Sequence, residues 1–208
     1  TFEGGYIPVE KRTESDRWIL SKLNTLIKSV DEAYNQYEPT RAARLVQDFV
    51  TDDLSNWYVR LNRKRFWKGE YNEDKKIAYQ SLYECLEKIA IISAPIAPFY
   101  SESLFKSLNE VSKRSESASV HLVDFPEVNQ QVIDLQLEQR MSLAQQISSL
   151  THSLRKSQKI KVRQPLQRIL VPVLNPEIKK QIAAVEDLIL SEVNVKEVEY
   201  LDDASGVL

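Results

Sequence analysis

The sequence has 208 residues, enough for one full domain with a small appendage and for a substantial core. Glycine accounts for only 4 of them, which argues against all-β sandwiches, P-loops and glycine-rich dinucleotide folds, all dependent on φ > 0 at tight turns. A hydrophobic content of 42% with a mean hydropathy of −0.39 excludes a membrane protein and a disordered tail, and a net charge of −2 means that nucleic-acid binding would require a locally clustered basic patch.

Residues 1–14 read as a linker, with half of all the glycines and no helical period. From about Ser15 to Tyr37, the apolar residues Ile19, Leu23, Leu26, Val30, Ala33 and Tyr37 share one helical face. Pro39 suits the first turn of a second helix, where its missing N–H is not needed. That helix is predicted to run to about Phe66, with Val46, Phe49, Val50, Leu54, Trp57 and Leu61 as its stripe. Residues 69–74 (GEYNED) break it, and Asn72 caps a third helix carrying Tyr79, Leu82, Tyr83, Leu86, Ile89 and Ala90 up to Pro95. Pro98 opens a short fourth helix containing Leu104, Phe105 and Leu108. Residues 110–120 are polar and serine-rich, an exposed loop, and 119–128 form a turn-rich connection. A long helix follows from about Gln130 to Gln158, with Leu143, Ile147, Leu150 and Leu154 as its expected core stripe. After Lys161 the period changes. Residues 169–174 (ILVPVL) read as a strand, at an edge because of Pro172, and 195–200 as a second strand. Between them Asn175 and Pro176 start a helix with its stripe at Ile178, Ile182, Val185 and Ile189. The expected fold is mainly α: an antiparallel helical bundle over 15–160 with a small α+β (β-α-β) subdomain over 161–208.

No phosphate loop, dinucleotide fingerprint, zincin motif or nucleophile elbow is present. His121 and His152 have no carboxylate at metal-ligand spacing, and the single cysteine, Cys85, rules out an internal disulfide and fits a reducing cytosol. No catalytic or metal-ligating residue is assigned. Two basic clusters stand out instead. The first is Arg60, Arg63, Lys64, Arg65 and Lys68, interleaved with Phe66 and Trp67 and containing no acid. Lys64 and Lys68 continue the apolar line of Val50 and Trp57, so this helix end should project into solvent. Cations at a helix C-terminus suit the macrodipole, but one or two suffice for that, and five point to a polyanion. The second cluster is Arg155, Lys156, Lys159, Lys161, Arg163 and Arg168, for which a solvated helix end is an equally good reading. Burial is expected for Trp18 at least in part and for Trp57 more fully, with Trp67 more exposed.

Five strings carry a resemblance: SDRWILSKLN at 15–24, SNWYVRLNRKRFW at 55–67, APIAPF at 94–99, SVHLVDFP at 119–126 and KVRQPL at 161–166, extended by LSEVNVKEV at 190–198. Together they resemble the anticodon-binding region of isoleucyl-tRNA synthetases, which are class I aminoacyl-tRNA synthetases; the 55–67 string is the specific one. The resemblance implies a class I anticodon-binding helical bundle that docks on the anticodon stem and loop of tRNA(Ile). It also implies a cytoplasmic monomer, an excised piece whose missing catalytic domain, with its ATP and Mg, lies elsewhere in the polypeptide. No cofactor is expected in the piece itself. Residues 1–14 would be the linker from that domain, and Leu208 a boundary of the piece. The KVRQPL form is similar to the eukaryote-like branch. The RNA-contact candidates are Arg60, Arg63, Lys64 and Lys68 for phosphate, Phe66 or Trp67 for stacking, Arg65 beside them with no particular contact assigned, and Arg155, Lys156, Lys159, Lys161 and Arg163 as a second patch inferred from charge. The alternatives are a valyl- or leucyl-type relative and a helical scaffold that binds no RNA.

Overall fold

The Thr13 side chain accepts from the Asp16 N–H and so starts helix α1 (Glu14–Asn35) in the manner of an N-cap. The computed structural model describes residues 5–68 and 70–201. It divides into two units, one up to Asp134 and one from Leu135 onward.

In the first unit α1 buries Trp18, Ile19, Leu23, Leu26, Val30 and Ala33, the face its periodicity marks out. Tyr37 departs from that stripe: it is 92% exposed, in the left-handed turn that ends the helix. The second helix is not continuous. Helix α2 (Pro39–Asp48) gives way to a π-helical stretch (Phe49–Val59), and then, after Asn62, to the short α3 (Arg63–Trp67). Wider i→i+5 turns reset the phase, so Phe49, Leu54 and the adjacent Trp57 and Tyr58 all point inward. Helix α4 (Glu73–Ser93) begins at the expected cap, where Asn72 accepts from the Lys75 N–H at 2.9 Å. Its buried face is Ile77, Ala78, Gln80, Ser81, Cys85, Ile89 and Ile92, whereas Tyr79 lies outside. Burial pushes the Cys85 thiol well up, as befits a packed side chain. Helices α1 and α4 run in the same direction: Arg12, just before α1, meets Ser81, and Tyr34 near its end donates to the Ile92 carbonyl.

Residues 5–12, expected as linker, are docked on α4. The Ile7 N–H donates to Gln80 at 3.0 Å, and the buried Arg12 donates to Ser81 at 3.0 Å and to Glu84 at 2.7 Å. The first four residues of that expected linker lie outside the described residues. Helix α5 (Pro98–Ser112) packs on α4, and Val120, expected in a loose connection, is 1% exposed in a one-turn 3-10 segment (Val120–Leu122).

The second unit starts with α6 (Leu135–Ser157) and continues through β1 (Leu166–Pro172), α7 (Pro176–Ala183), α8 (Glu186–Val193) and β2 (Val195–Leu201). The strands pair in parallel, with Leu166 opposite Val195 and Pro172 opposite Leu201. The first strand begins at Leu166 rather than 169, because Gln167 and Arg168 hide its alternation; Arg168 reaches diagonally to Glu199 at 2.8 Å. The expected single helix between the strands is broken at Ala184–Val185. The unit boundary falls at Asp134 rather than at 160, since α6 packs against α7 and α8. Its buried face is the series Leu137, Met141, Ala144, Ser148, Thr151 and Arg155. The expected stripe is displaced from it, and Leu150 and Leu154 are two-thirds exposed along an open groove beside β1. The smaller Ala144, Ser148 and Thr151 occupy the middle of that face, with Leu137 and Met141 at one end and Arg155 at the other. Among the described residues, no helix is long and apolar enough to cross a membrane.

Candidate nucleic-acid interface

The first basic cluster splits into two sets of side chains. Arg60, Arg63, Lys64, Trp67 and Lys68 are exposed, whereas Arg65 and Phe66 turn inward. Trp67 is 67% exposed, and the Arg63 guanidinium lies over its ring at 5.5 Å from the centroid. Arg60 lies over the Trp57 ring at 6.0 Å and donates from Nε to the Asn56 carbonyl at 2.8 Å. Cations and an aromatic face are therefore presented together from one short stretch of chain, a combination suited to phosphate neutralisation and base stacking.

The inward set holds this stretch in place. Phe66 meets Tyr58 and Tyr79 edge to face, with centroids at 6.2 and 5.5 Å, and the Tyr79 hydroxyl donates to the Phe66 carbonyl at 3.1 Å. The Arg65 fork spans two carboxylates. It donates to both oxygens of Asp16 at 3.1 and 2.9 Å and to Asp74 at 3.0 Å through Nε, with Asn62 Oδ1 at 2.8 Å as a further acceptor. Asp16 is fully buried and also accepts from the hydroxyls of Tyr58 and Thr13. Burial, with the Asp16 carboxylate beside it, holds the Tyr58 hydroxyl far above its usual range. For Arg65, burial works to lower the pKa, but the hydrogen bonds to Asp16 and Asp74 outweigh it and the group is held more firmly charged. Asn62 is buried as well, donating to the Tyr58 carbonyl at 2.8 Å.

Arg65 and Phe66 are thus corrected from expected RNA contacts to internal fasteners: a helix of five residues beside two others must spend part of its surface on packing. Trp57 at 4% and Trp18 at 1% exposure are both buried, Trp18 the more fully, in the reverse of the expected order, and Trp67 is outside as expected. Sequence reasoning missed Asp16, Tyr58, Asn62 and Asp74. Asp16 looks like a first-turn acid favoured by the helix dipole, and nothing local shows that its partner lies 49 residues away.

In the second unit Lys156, Lys159, Lys161, Arg163 and Arg168 are exposed. Arg155 is not. At 3% exposure it donates to the carbonyls of Lys161, Gln164, Val193 and Asn194 at 2.9–3.2 Å, joining the end of α6 to the loop before β1 and to the end of α8. It too is corrected to an internal role, because four clustered backbone acceptors need a buried fork of donors. His152 is paired with Glu192 at 3.1 Å.

Comparison with known proteins bears on this surface. Residues 16–170 match the family model described as the anticodon-binding domain of tRNA ligase. The chain is 66% identical over all of its 208 residues to an isoleucine–tRNA ligase of Cytophaga hutchinsonii, covering 19% of that protein. It is 54% identical over 202 residues to that of Bacteroides thetaiotaomicron, or 97% of this chain and 17% of the relative. Against that of Thermus thermophilus it is 39% identical over 201 residues, again 97% of this chain and 19% of the relative. The chain spans about a fifth of the length of these relatives. All three are bacterial, so they lend no support to a eukaryote-like placement.

Proposed function

We propose, because this chain belongs to the family of anticodon-binding domains of tRNA ligases, that it holds the anticodon arm of a tRNA, and that the tRNA is tRNA(Ile). The observation that carries the proposal is the exposed set Arg63, Lys64 and Trp67 on α3, flanked in the chain by the exposed Arg60 and Lys68, while Arg65 and Phe66 of the same helix are fastened inside. Choice of tRNA(Ile) rests on relatives that are isoleucine–tRNA ligases at up to 66% identity. In this reading aminoacylation belongs to a catalytic domain elsewhere in a longer polypeptide, which would use ATP and Mg2+. The chain itself is non-catalytic and acts as a cytoplasmic monomer.

Arginine and lysine here meet phosphates, and phosphate contacts position the RNA without reading its sequence. Arg63 and Lys64 suit the backbone, and Trp67 offers a ring for an unpaired base. The test is a salt-dependent titration of tRNA(Ile) with the 208-residue protein and its Arg63→Ala/Lys64→Ala variant. Each lost phosphate contact should lower the slope of log K against log salt by roughly 0.7–0.9. The double variant should therefore flatten the slope by between about one and two units, with an unchanged helical signal and an unchanged preference for the cognate anticodon. Unaltered affinity and slope would remove the first cluster from the interface and leave Lys156, Lys159, Lys161 and Arg163 as the surface to test.

A further inference from the structure

We infer that Asp16 is a positioning residue for RNA binding: its buried carboxylate holds Arg65, and through Arg65 orients α3 so that Arg63, Lys64 and Lys68 are presented together. The inference rests on the RNA-binding reading above and deepens it.

Helix α3 has five residues, too few to be stable alone, and no side chain caps its start. Its orientation must come from outside the helix. Two of its side chains supply that, Phe66 by packing and Arg65 by charge. Of the two carboxylates on Arg65, Asp74 is half exposed whereas Asp16 is wholly buried. A bidentate Arg–carboxylate contact constrains direction as well as distance, and here both Asp16 oxygens take part, at 3.1 and 2.9 Å. The hydroxyls of Tyr58 and Thr13 donate to the same two oxygens, one to each, and hold the carboxylate in place. Turning α3 by one residue, about 100°, would bring Arg65 outward and exchange the cations on its outer face. Asp16 sits on α1, so this pair ties the basic stretch to a core helix of the unit.

The sign of the charge makes the proposal testable. Asp16→Asn preserves shape, leaves every outward cation in place and removes one negative charge. If only net charge governed tRNA binding, this variant would bind as tightly as the unaltered protein or more tightly. Positioning requires the opposite: affinity for tRNA(Ile) should fall roughly ten-fold, about one charge-assisted contact, with a shallower salt slope. Amide hydrogen exchange should accelerate across residues 63–68 while α1 and α4 keep their protection. Arg65→Lys retains the charge but not the fork, and should weaken binding in the same sense; it carries the test should Asp16→Asn not fold. Glu70→Gln removes an exposed acid close to α3 and should cause no loss. If Arg63→Ala/Lys64→Ala weakens binding while Asp16→Asn and Arg65→Lys bind as tightly as the unaltered chain, positioning is overturned and the RNA-binding reading stands. If the double variant itself leaves affinity and slope unchanged, that reading falls and this proposal falls with it.

Discussion

Tyr37 occupies the left-handed region at φ 58 while its side chain is 92% exposed. It follows Gln36, the residue that caps the end of α1, and the Glu38 N–H returns to the Ala33 carbonyl at 2.9 Å to close the helix end. A left-handed backbone is costly for a residue with a Cβ, and exposure denies this ring any packing in return. Tyr37→Gly should therefore stabilise the protein, by about 0.5–1 kcal/mol, measured as a higher urea midpoint with an unchanged m-value. A decrease in stability would show that the ring has a partner. Asn194 is in the same conformation at the end of α8, with φ 52, and there the residue type already suits it. Arg155 shows how far a residue's setting can reverse its apparent role. In sequence it belongs to a run of cations, yet its guanidinium lies among four backbone carbonyls.

At the scale of elements, the connection after α5 is ordered by one carboxylate. Glu102 on α5 pairs with Lys106 at 2.8 Å, and accepts from the Val120 N–H at 2.8 Å and the Ser119 hydroxyl at 2.9 Å. The hydrogen bond from Lys106, then that from the Val120 backbone, hold its pKa down to about 2. A carboxyl depressed on folding contributes stability that is complete above its ordinary value of 4.5 and is lost as pH falls through about 2. The Val120 amide signal should thus titrate within that acid window, and Glu102→Gln should abolish the titration. A Val120 amide moving instead near pH 4.5 would mean that the carboxylate is not held as described. The π-helical stretch is the other decisive element. By resetting the helical phase at Phe49–Val59 it lets Trp57 and Tyr58 both face inward, and Tyr58 then reaches Asp16.

For the whole molecule, a net charge of −2 coexists with a solvent-facing basic surface in each unit. Such an arrangement suits a partner with phosphates, while the sequence lacks any nucleotide-binding loop. The pure 208-residue protein should show no isoleucine-dependent ATP–pyrophosphate exchange, and robust exchange would overturn the proposal that it is non-catalytic. Each unit has its own buried face, α1 and α4 in the first, and α6 with α7 and α8 in the second.

Amino-acid pattern alone determined the helical class, the starts at Pro39, Asn72, Pro98 and Asn175, and the outward Trp67, because these depend on periodicity and capping within a few residues. It also marked the basic stretch, since charge clustering is visible in a linear string. Which members of that stretch face outward was decided only in three dimensions. Arg65 and Arg63 are the same residue type two positions apart, and a carboxylate 49 residues earlier turns one inward while the other stays in solvent. Likewise the core face of α6 depended on what packs against it: beside α7 and α8 it runs through Leu137, Met141, Ala144, Ser148 and Thr151, and Leu150 and Leu154 were left outside. Hydrophobic periodicity reports the average tendency of a helix face to be covered, whereas the covering itself requires partners that only the folded chain brings near.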